Sequence, residues 1–258
     1  MNRSTGPLAS ESLRLDIVVD AHALSTKAAD LVAETIRQKP DAAICLPTGA
    51  TPLGMFDELA ERVDRGEIDF SHIDLYCLDE YLGVDRDDPN SLTGWLWSAF
   101  VTRVGIDPER VHELPTTADD PAAAAASFDR DLVQRGGLDL AILGLGPNGH
   151  IGYNEPGSSW DSRTRVVNLT PESVRQAAAY WSGNVSVPGK AITLGVGTLL
   201  AAKRIVLIVS GEAKSAILRR ALEEPPSAEV PASWLPLAGD RLHVIADRQA
   251  VRALSLTG

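Results

Sequence analysis

Short apolar runs alternate with helical patterns along most of the chain, and this alternation restricts the fold more than any other feature. Runs of about four to eight apolar residues favour buried strands, and apolar residues three or four positions apart favour helices. The predicted strands are residues 13–19, 42–46, 73–78, 138–143, 165–169, 204–209 and 242–246. The predicted helices are residues 21–38, 53–65, 121–134, 171–181 and 212–222, with a further helix from Ser91 and a short one at the C-terminus.

This order of elements predicts an α/β fold. We expect a doubly wound, mostly parallel sheet with helices on both faces, a Rossmann-like arrangement of three layers. Residues 1–12 are predicted to be a flexible tail, and residues 13–258 a single domain, because no repeat or linker-like segment divides them. In such sheets ligands bind beyond the carboxyl ends of the strands.

Composition and charge exclude several classes of function. The 258 residues carry a formal net charge of −11, which argues against nucleic acid as a partner. The two cysteines, Cys45 and Cys77, lie in separate apolar runs, so a reducing compartment is expected. No targeting segment or membrane-spanning run is visible, and the histidines are scattered, so we expect a cytoplasmic protein without a membrane partner or a bound metal.

An irregular loop follows the fourth predicted strand. Residues 143–157 read Leu-Gly-Leu-Gly-Pro-Asn-Gly-His-Ile-Gly-Tyr-Asn-Glu-Pro-Gly, with five glycines and two prolines. Glycine permits backbone angles and close approaches that other residues forbid. His150 titrates near neutral pH, and a carboxylate such as Glu155 could orient its ring. The loop therefore predicts a site for a small polar ligand beside His150 and Glu155, although a lone histidine is more often structural.

The same loop contains the glycine spacing of a dinucleotide-binding fingerprint at Gly144, Gly146 and Gly149. That fingerprint requires a helix to begin within it. Pro147 and Pro156 prevent a helix of useful length, so we reject a nicotinamide site.

Two further turns could bind a phosphate group. The turn at Thr48, Gly49, Ala50 and Thr51 joins a strand to a helix, and helix N-termini present free N–H groups to anions. The alternative is a plain turn in which Thr51 caps the helix. Lys214 begins a helix, where its charge opposes the helix dipole unless an anion is bound. The alternative is a solvated lysine offset by Glu212.

A pair of acids, Asp79 and Glu80, follows the third predicted strand. A partly desolvated carboxylate at this edge could take a proton from carbon. Two ordinary exposed acids are the alternative, and the local pattern favours them.

Three motifs together resemble the glucosamine-6-phosphate deaminase family. They are Leu-Pro-Thr-Gly-Ala-Thr-Pro at 46–52, Leu-Asp-Glu-Tyr-Leu-Gly at 78–83 and the loop at 144–156. Residues 162–165 and 194–200 also match, and the resemblance extends from about residue 15 to 250. The related 6-phosphogluconolactonases share the fold and a similar histidine loop, but they lack the Asn-Glu-Pro found here at 154–156.

The resemblance implies conversion of glucosamine 6-phosphate and water to fructose 6-phosphate and ammonia, without a cofactor. In that reaction His150 opens the sugar ring, Asp79 takes the C2 proton, and Glu155 and Asn148 support His150. The turn at 48–51 and Lys214 hold the phosphate.

Three positions depart from the family pattern. Residue 148 is Asn where some members have Asp, so we expect the activity to be altered but not abolished. A phosphate-binding Arg is replaced by Ala179, and Arg175, one helical turn earlier, is the candidate substitute. Allosteric members bind an effector near Ser158 and Arg165 with a Lys at the position of Val167, so weak or absent activation is expected here.

Two alternatives stay open at this stage. One is hydrolysis of a sugar-phosphate lactone, and the other is a non-catalytic sugar-phosphate sensor of the same fold. The sequence does not fix the preferred epimer, and it leaves a homo-oligomer open.

Overall fold

Seven parallel strands form the central sheet in a computed structural model that describes residues 13–178, 181 and 186–255. The first part of the chain contains β1 (Arg14–Val18), α1 (Ala21–Gln38), β2 (Ala43–Leu46), α2 (Leu53–Asp64), β3 (Asp74–Cys77) and β4 (Asp79–Tyr81). The middle contains α3 (Leu92–Leu96), a π-helical turn (Trp97–Val101), α4 (Thr102–Val104), a 3-10 turn (Pro108–Arg110), β5 (Val111–His112), α5 (Pro121–Gln134) and β6 (Leu140–Gly144). The last part contains β7 (Arg165–Asn168), α6 (Pro171–Ala178), β8 (Lys190–Thr193), α7 (Val196–Leu200), β9 (Ile205–Val209), a 3-10 turn (Glu212–Lys214), α8 (Ser215–Glu223), a 3-10 segment (Pro231–Arg241) and β10 (Leu242–Asp247).

The strand order of the central sheet is β1-β10-β9-β6-β2-β3-β5, and all of its pairs are parallel. The chain proceeds outward in one direction from β2 and in the other from β6. The point where the order reverses is where ligands bind in doubly wound sheets. The loops after β2 and β6, which flank this point, are the two that the sequence marks as candidate binding loops.

Local sequence explains the helices that cover the sheet. The Asp20 side chain accepts a hydrogen bond of 2.9 Å from the Ala23 N–H and so caps α1, whose apolar stripe is buried. Asp120 caps α5 in the same way, and Pro121 occupies the first helical position. Every residue of β9 and β10 is buried, because helices cover both faces of the sheet. The predicted α/β fold is confirmed.

A second, three-stranded antiparallel sheet lies beside the first, with the order β4-β8-β7. The sequence places Asp79 and Glu80 after the end of the third predicted strand and gives no signal for a further strand, but Asp79–Tyr81 form β4. Asp79 pairs with Thr193 of β8, so tertiary pairing decides the conformation of a segment whose polar residues do not favour a strand. The small sheet holds Asp79 just beyond the carboxyl end of β3.

Two other elements differ from the sequence prediction. The expected C-terminal helix is absent from the described residues, because residues 248–253 form turns. The expected helix 171–181 is described as far as Ala178, and the Thr170 side chain accepts a bond from the Ser173 N–H at its start. Ala179 lies outside the described residues. Within the described part of the chain, no helix is long and apolar enough to cross a membrane.

Candidate active site

A cavity of about 470 Å³ opens at the carboxyl edge of the central sheet. This size is typical of pockets for small molecules. Each of the four segments that the sequence marks as candidate binding or catalytic segments contributes to its wall. The contributing residues from these segments include Thr48, Gly49, Ala50, Thr51, Asp79, Gly144, Gly146, His150 and Lys214. The fold therefore brings together residues that are more than 160 positions apart in the chain.

Asp79 is the buried acid of this cavity. Its side chain lies on β4 with 7% of the residue exposed, and its Oδ1 has no hydrogen-bond partner among the described residues. Burial, and secondarily the charge of Glu80, raise the pKa of Asp79 to about 7. Near neutral pH this carboxyl group can therefore both accept and release a proton.

Glu80 is buried too, but it is fully hydrogen-bonded. Its Oε1 accepts bonds from the backbone N–H groups of Tyr81 (2.8 Å) and Leu92 (3.2 Å). Its Oε2 accepts bonds from the Ser91 hydroxyl (2.6 Å) and the Thr93 N–H (2.8 Å). The interpretation of both acids as ordinary exposed side chains was wrong, because the antiparallel pairing of β4 carries them inside.

His150 lies against a carboxylate, as its sequence neighbours suggested. Its Nδ1 is 3.6 Å from Oε2 of Glu155 and 3.4 Å from the Ser173 hydroxyl. The His150 backbone N–H donates to Oδ1 of Asn148 at 3.1 Å, while the Asn148 amide donates to Glu155 at 2.9 Å. Asn148 thus holds both the histidine backbone and the carboxylate that faces the imidazole ring.

Glu155 does not line the cavity, but its carboxylate lies next to the imidazole ring of His150 and supports it. Burial opposes its ionisation, yet hydrogen bonds from His150, Ser173 and Asn148 outweigh burial and lower the pKa of Glu155 to about 2. Thr170 adds two longer contacts of 3.3 Å from its N–H and its hydroxyl. Sequence reasoning missed Ser173 and Thr170, and the only signal for them was a Ser and a Thr at the start of a predicted helix.

The packing of the His150 ring explains why residue 146 is a glycine. A Cβ atom at this position would overlap the imidazole ring of His150. The ring therefore packs directly on the backbone of Gly146, and a side chain there would displace it. Gly149 and Gly152 have positive φ angles of 88° and 54°, which L-residues rarely adopt.

The candidate phosphate site lies at the start of α2. The residue before this helix is Pro52, and no side chain caps the first turn, so the alternative in which Thr51 caps the helix does not hold. Gly49 has a φ angle of 95°, which lets the loop turn before the helix begins. The free N–H groups of the first turn are suited to an anion.

Lys214 lines the same cavity and is half-buried. Burial lowers its pKa, and the charge of Glu172 partly opposes this effect. Glu212 does not offset it, because that carboxylate pairs with Arg252 at 2.8 Å. Among the described residues, no carboxylate lies within 4 Å of the Lys214 ammonium group, so a bound anion would provide the missing counter-charge.

The family model described as glucosamine-6-phosphate isomerases/6-phosphogluconolactonase matches residues 19–244. The chain belongs to this family. A glucosamine-6-phosphate deaminase from Thermoanaerobacter sp. (strain X514) is 37% identical over 238 residues, which are 92% of this chain and 94% of the relative.

Solved structures of the family show the same fold. A structure of a monomeric glucosamine-6-phosphate deaminase is 37% identical, covers 93% of this chain and 100% of its own, and has a TM-score of 0.89. The 6-phosphogluconolactonase from Leishmania guyanensis has a TM-score of 0.74 at 20% identity, with 95% and 100% of the two chains covered, which shows only a shared fold. The resemblance to the deaminases is therefore confirmed.

One expected phosphate ligand is not at the cavity of this family member. Arg175 is exposed on α6 and is absent from the cavity wall, where Ser173, Gln176 and Ala177 lie instead. Residues 173, 176 and 177 share the inward face of the helix, and position 175 lies on another face. The structure thus gives no support to Arg175 as the substitute for the arginine expected at Ala179.

Aromatic side chains complete the wall and were not anticipated. The Tyr153 hydroxyl donates to the Tyr81 hydroxyl at 2.7 Å, and Trp181 packs edge-on against Tyr81 with ring centroids 5.0 Å apart. Trp95 also lines the cavity. No group of three or more His, Cys, Asp or Glu side chains in the described ranges is arranged to hold a metal ion.

Proposed function

We propose that the protein catalyses the isomerising deamination of glucosamine 6-phosphate, which with water gives fructose 6-phosphate and ammonia. One observation carries the proposal: a buried carboxylate with one oxygen that has no hydrogen-bond partner among the described residues, Asp79, shares a cavity with a histidine that is backed by a carboxylate. Proton abstraction next to a carbonyl group and ring opening require these two kinds of group. The names of the deaminase relatives support the same reaction.

In the first step His150 opens the sugar ring. The imidazole moves a proton from the hydroxyl at C1 to the ring oxygen, which leaves the aldehyde form with the amine still on C2. Glu155 faces Nδ1 at 3.6 Å and stabilises the imidazolium that forms during the transfer. Asn148 and Ser173 keep this carboxylate in place.

In the second step Asp79 acts as the base. It takes the proton from C2 while the ammonium group on C2 gives a proton to the aldehyde oxygen, which yields an enolamine. Asp79 then returns its proton to C1, so that the double bond lies between C2 and nitrogen. Water adds to C2, ammonia leaves, and the ketone of fructose 6-phosphate remains. A carboxyl group whose pKa is about 7 suits this task, because it is partly ionised at neutral pH and basic enough to take the proton.

The phosphate group anchors the substrate at the other end of the cavity. The uncapped start of α2, with Thr48, Gly49, Ala50 and Thr51, provides N–H groups, and Lys214 provides a charge. Because the phosphate does not react, its binding energy serves to orient C1 and C2 against the two catalytic groups.

Ammonia release from a panel of sugar phosphates tests the proposal. The panel contains glucosamine 6-phosphate, its galacto epimer, unphosphorylated glucosamine and 6-phosphogluconolactone. We expect ammonia from an amino-sugar phosphate and loss of that activity in Asp79→Asn and His150→Ala. Lactone hydrolysis without ammonia release, or no turnover by the folded protein, would contradict the proposal.

A further inference from the structure

Glu80 is a buried carboxylate that the proposed chemistry does not use. Only 2% of the residue is exposed. A buried charge is costly unless it is paired or hydrogen-bonded. Its four donors are three backbone N–H groups and one hydroxyl, and no Lys, Arg or His in the described chain lies within 4 Å of it. The charge is therefore solvated by dipoles but not cancelled by a cation.

The hydrogen bonds of Glu80 join two walls of the cavity. One wall is β4, which carries Asp79 at the preceding position. The other is the segment from Ser91 to Trp95, of which Ser91, Leu92 and Trp95 line the cavity. Three of the four bonds go to Ser91, Leu92 and Thr93, so this single side chain fixes the segment relative to the strand of the base.

Glu80 is also the charged neighbour that acts on Asp79. The other titratable groups that interact with Asp79 come from β2, β3, β4 and the loop after β6, and each has a raised pKa. These groups are Cys45, Cys77, Tyr81 and Tyr153. They are neutral near pH 7, and among the described residues the remaining titratable groups of the cavity wall are His150 and Lys214. Glu80 therefore provides the negative charge beside the base.

We propose that Glu80 is a positioning residue of the deamination site, which holds the Ser91–Trp95 segment against the strand of the catalytic base and keeps a negative charge next to that base. This inference rests on the proposed function. It assigns two roles to one side chain, since its length sets the position of the Ser91–Trp95 segment and its charge adds to the basicity that burial gives Asp79.

Two substitutions test the charge and the length of the Glu80 side chain. Glu80→Gln keeps the length and removes the charge, but its amide nitrogen cannot accept the bonds that one carboxylate oxygen receives, so the role of charge is read from the pH profile and not from KM. Without the like charge Asp79 ionises more readily, so the acidic limb of kcat/KM moves to lower pH by about half a unit or more, and kcat falls because the base is weaker. Glu80→Asp keeps the charge, but its side chain is one methylene shorter. It therefore cannot hold the Ser91–Trp95 segment and β4 together. We expect KM to rise about tenfold with the acidic limb unchanged.

Asp129→Asn is the matched control. Asp129 is similarly enclosed, with 4% exposed, and it accepts hydrogen bonds from Thr164 and Thr198, but it also pairs with Arg163 at 2.7 Å and does not line the cavity. Its loss should lower the melting temperature as the Glu80 variants do, with the pH profile and KM left at the parent values.

A titration without substrate separates this inference from the proposed function. The ¹³C carboxyl resonance of Asp79, assigned with Asp79→Asn, reports its pKa in the ligand-free protein. Glu80→Gln is expected to lower that pKa whether or not the parent enzyme releases ammonia, and an absence of ammonia would contradict the proposed function alone. An unchanged Asp79 titration in Glu80→Gln would overturn the role of the charge. If the parent enzyme is active and Glu80→Asp has the same KM, the proposed role of the side-chain length is overturned.

Discussion

The side-chain amide of Asn148 donates a hydrogen bond of 2.9 Å to Oε2 of Glu155. The same oxygen faces Nδ1 of His150. Removal of this donor in Asn148→Ala is expected to raise the pKa of Glu155 above its value of about 2, because one of the bonds that favour the ionised form is lost. We expect kcat to fall about tenfold, since the imidazole loses part of its support. A ¹³C titration of Glu155 and steady-state kinetics check both effects.

Asn148→Asp is the informative companion to that variant. It keeps the Oδ1 atom that accepts from the His150 N–H but replaces the amide donor with a second carboxylate oxygen. The like charge should raise the pKa of Glu155 further than Asn148→Ala does. If the pKa of Glu155 is the same in both variants, the added carboxylate has no effect and only the loss of the amide hydrogen bond matters.

Gly146→Ala is expected to lower kcat by about 100-fold with little effect on folding, because the added methyl group would displace the His150 ring. Gly189→Ala is the control, since a Cβ atom there meets nothing within 4 Å and the position has no positive φ angle. Kinetics and circular dichroism of both variants test the prediction. A Gly146→Ala enzyme of parental activity would mean that the ring position is not critical.

Asp79→Asn should abolish ammonia release and yet stabilise the fold at alkaline pH. The pKa of Asp79 is about 7 in the folded protein, against an ordinary value of 3.8, so its contribution to stability is full below pH 3.8 and is lost as the pH rises through about 7. At pH 8 the asparagine removes an ionised group whose burial costs about 2–4 kcal/mol. Each kcal/mol corresponds to about 2–4 °C in the melting temperature for a chain of this size.

Calorimetry at two pH values distinguishes this effect from a change in packing. At pH 4 both proteins carry a mostly neutral side chain at position 79, so their melting temperatures should nearly agree. At pH 8 the variant should melt several degrees higher. A variant that is less stable than the parent at pH 8 would contradict the raised pKa.

Local sequence determined much of the architecture. The bounds of α1 and α5 follow from capping residues and apolar spacing, and the structure has them at the predicted residues. The binding edge could also be predicted, since strand–helix alternation brings the turns after β2 and β6 together. The small antiparallel sheet could not be, because Asp79–Tyr81 becomes a strand only by pairing with β8, more than 100 residues later.

The parts of the site that the sequence did not reveal depend on contacts across the chain. Ser173 and Thr170 reach Glu155 only because α6 packs over the loop after β6. Gln176 enters the cavity wall and Arg175 does not, which depends on the rotation of a short helix. An error of one residue in that rotation changes the face by about 100°.

Lys214→Ala is expected to raise KM for the sugar phosphate by about 10- to 100-fold and to change kcat little, because the lysine holds a group that does not react. Any turnover of unphosphorylated glucosamine should be unaffected. Lys203→Ala is the control, since that lysine pairs with Asp139 outside the cavity wall. A large loss of kcat without a change in KM would place Lys214 in the chemistry and not in phosphate binding.

The environment of the Arg165 guanidinium group predicts how the enzyme responds to an effector phosphate. The guanidinium group donates to Asn154 (2.9 Å) and to the Ser158 hydroxyl (2.9 Å), and burial lowers its pKa. An effector phosphate at Ser158 would have one cation here, because the position two residues further on β7 is Val167. One desolvated charge gives weak attraction for a dianion that must give up its own hydration. We expect hyperbolic kinetics that an N-acetylated sugar phosphate does not change, measured as initial rates across substrate concentration with and without it. Sigmoidal kinetics relieved by that compound would show that Arg165 suffices without a second cation.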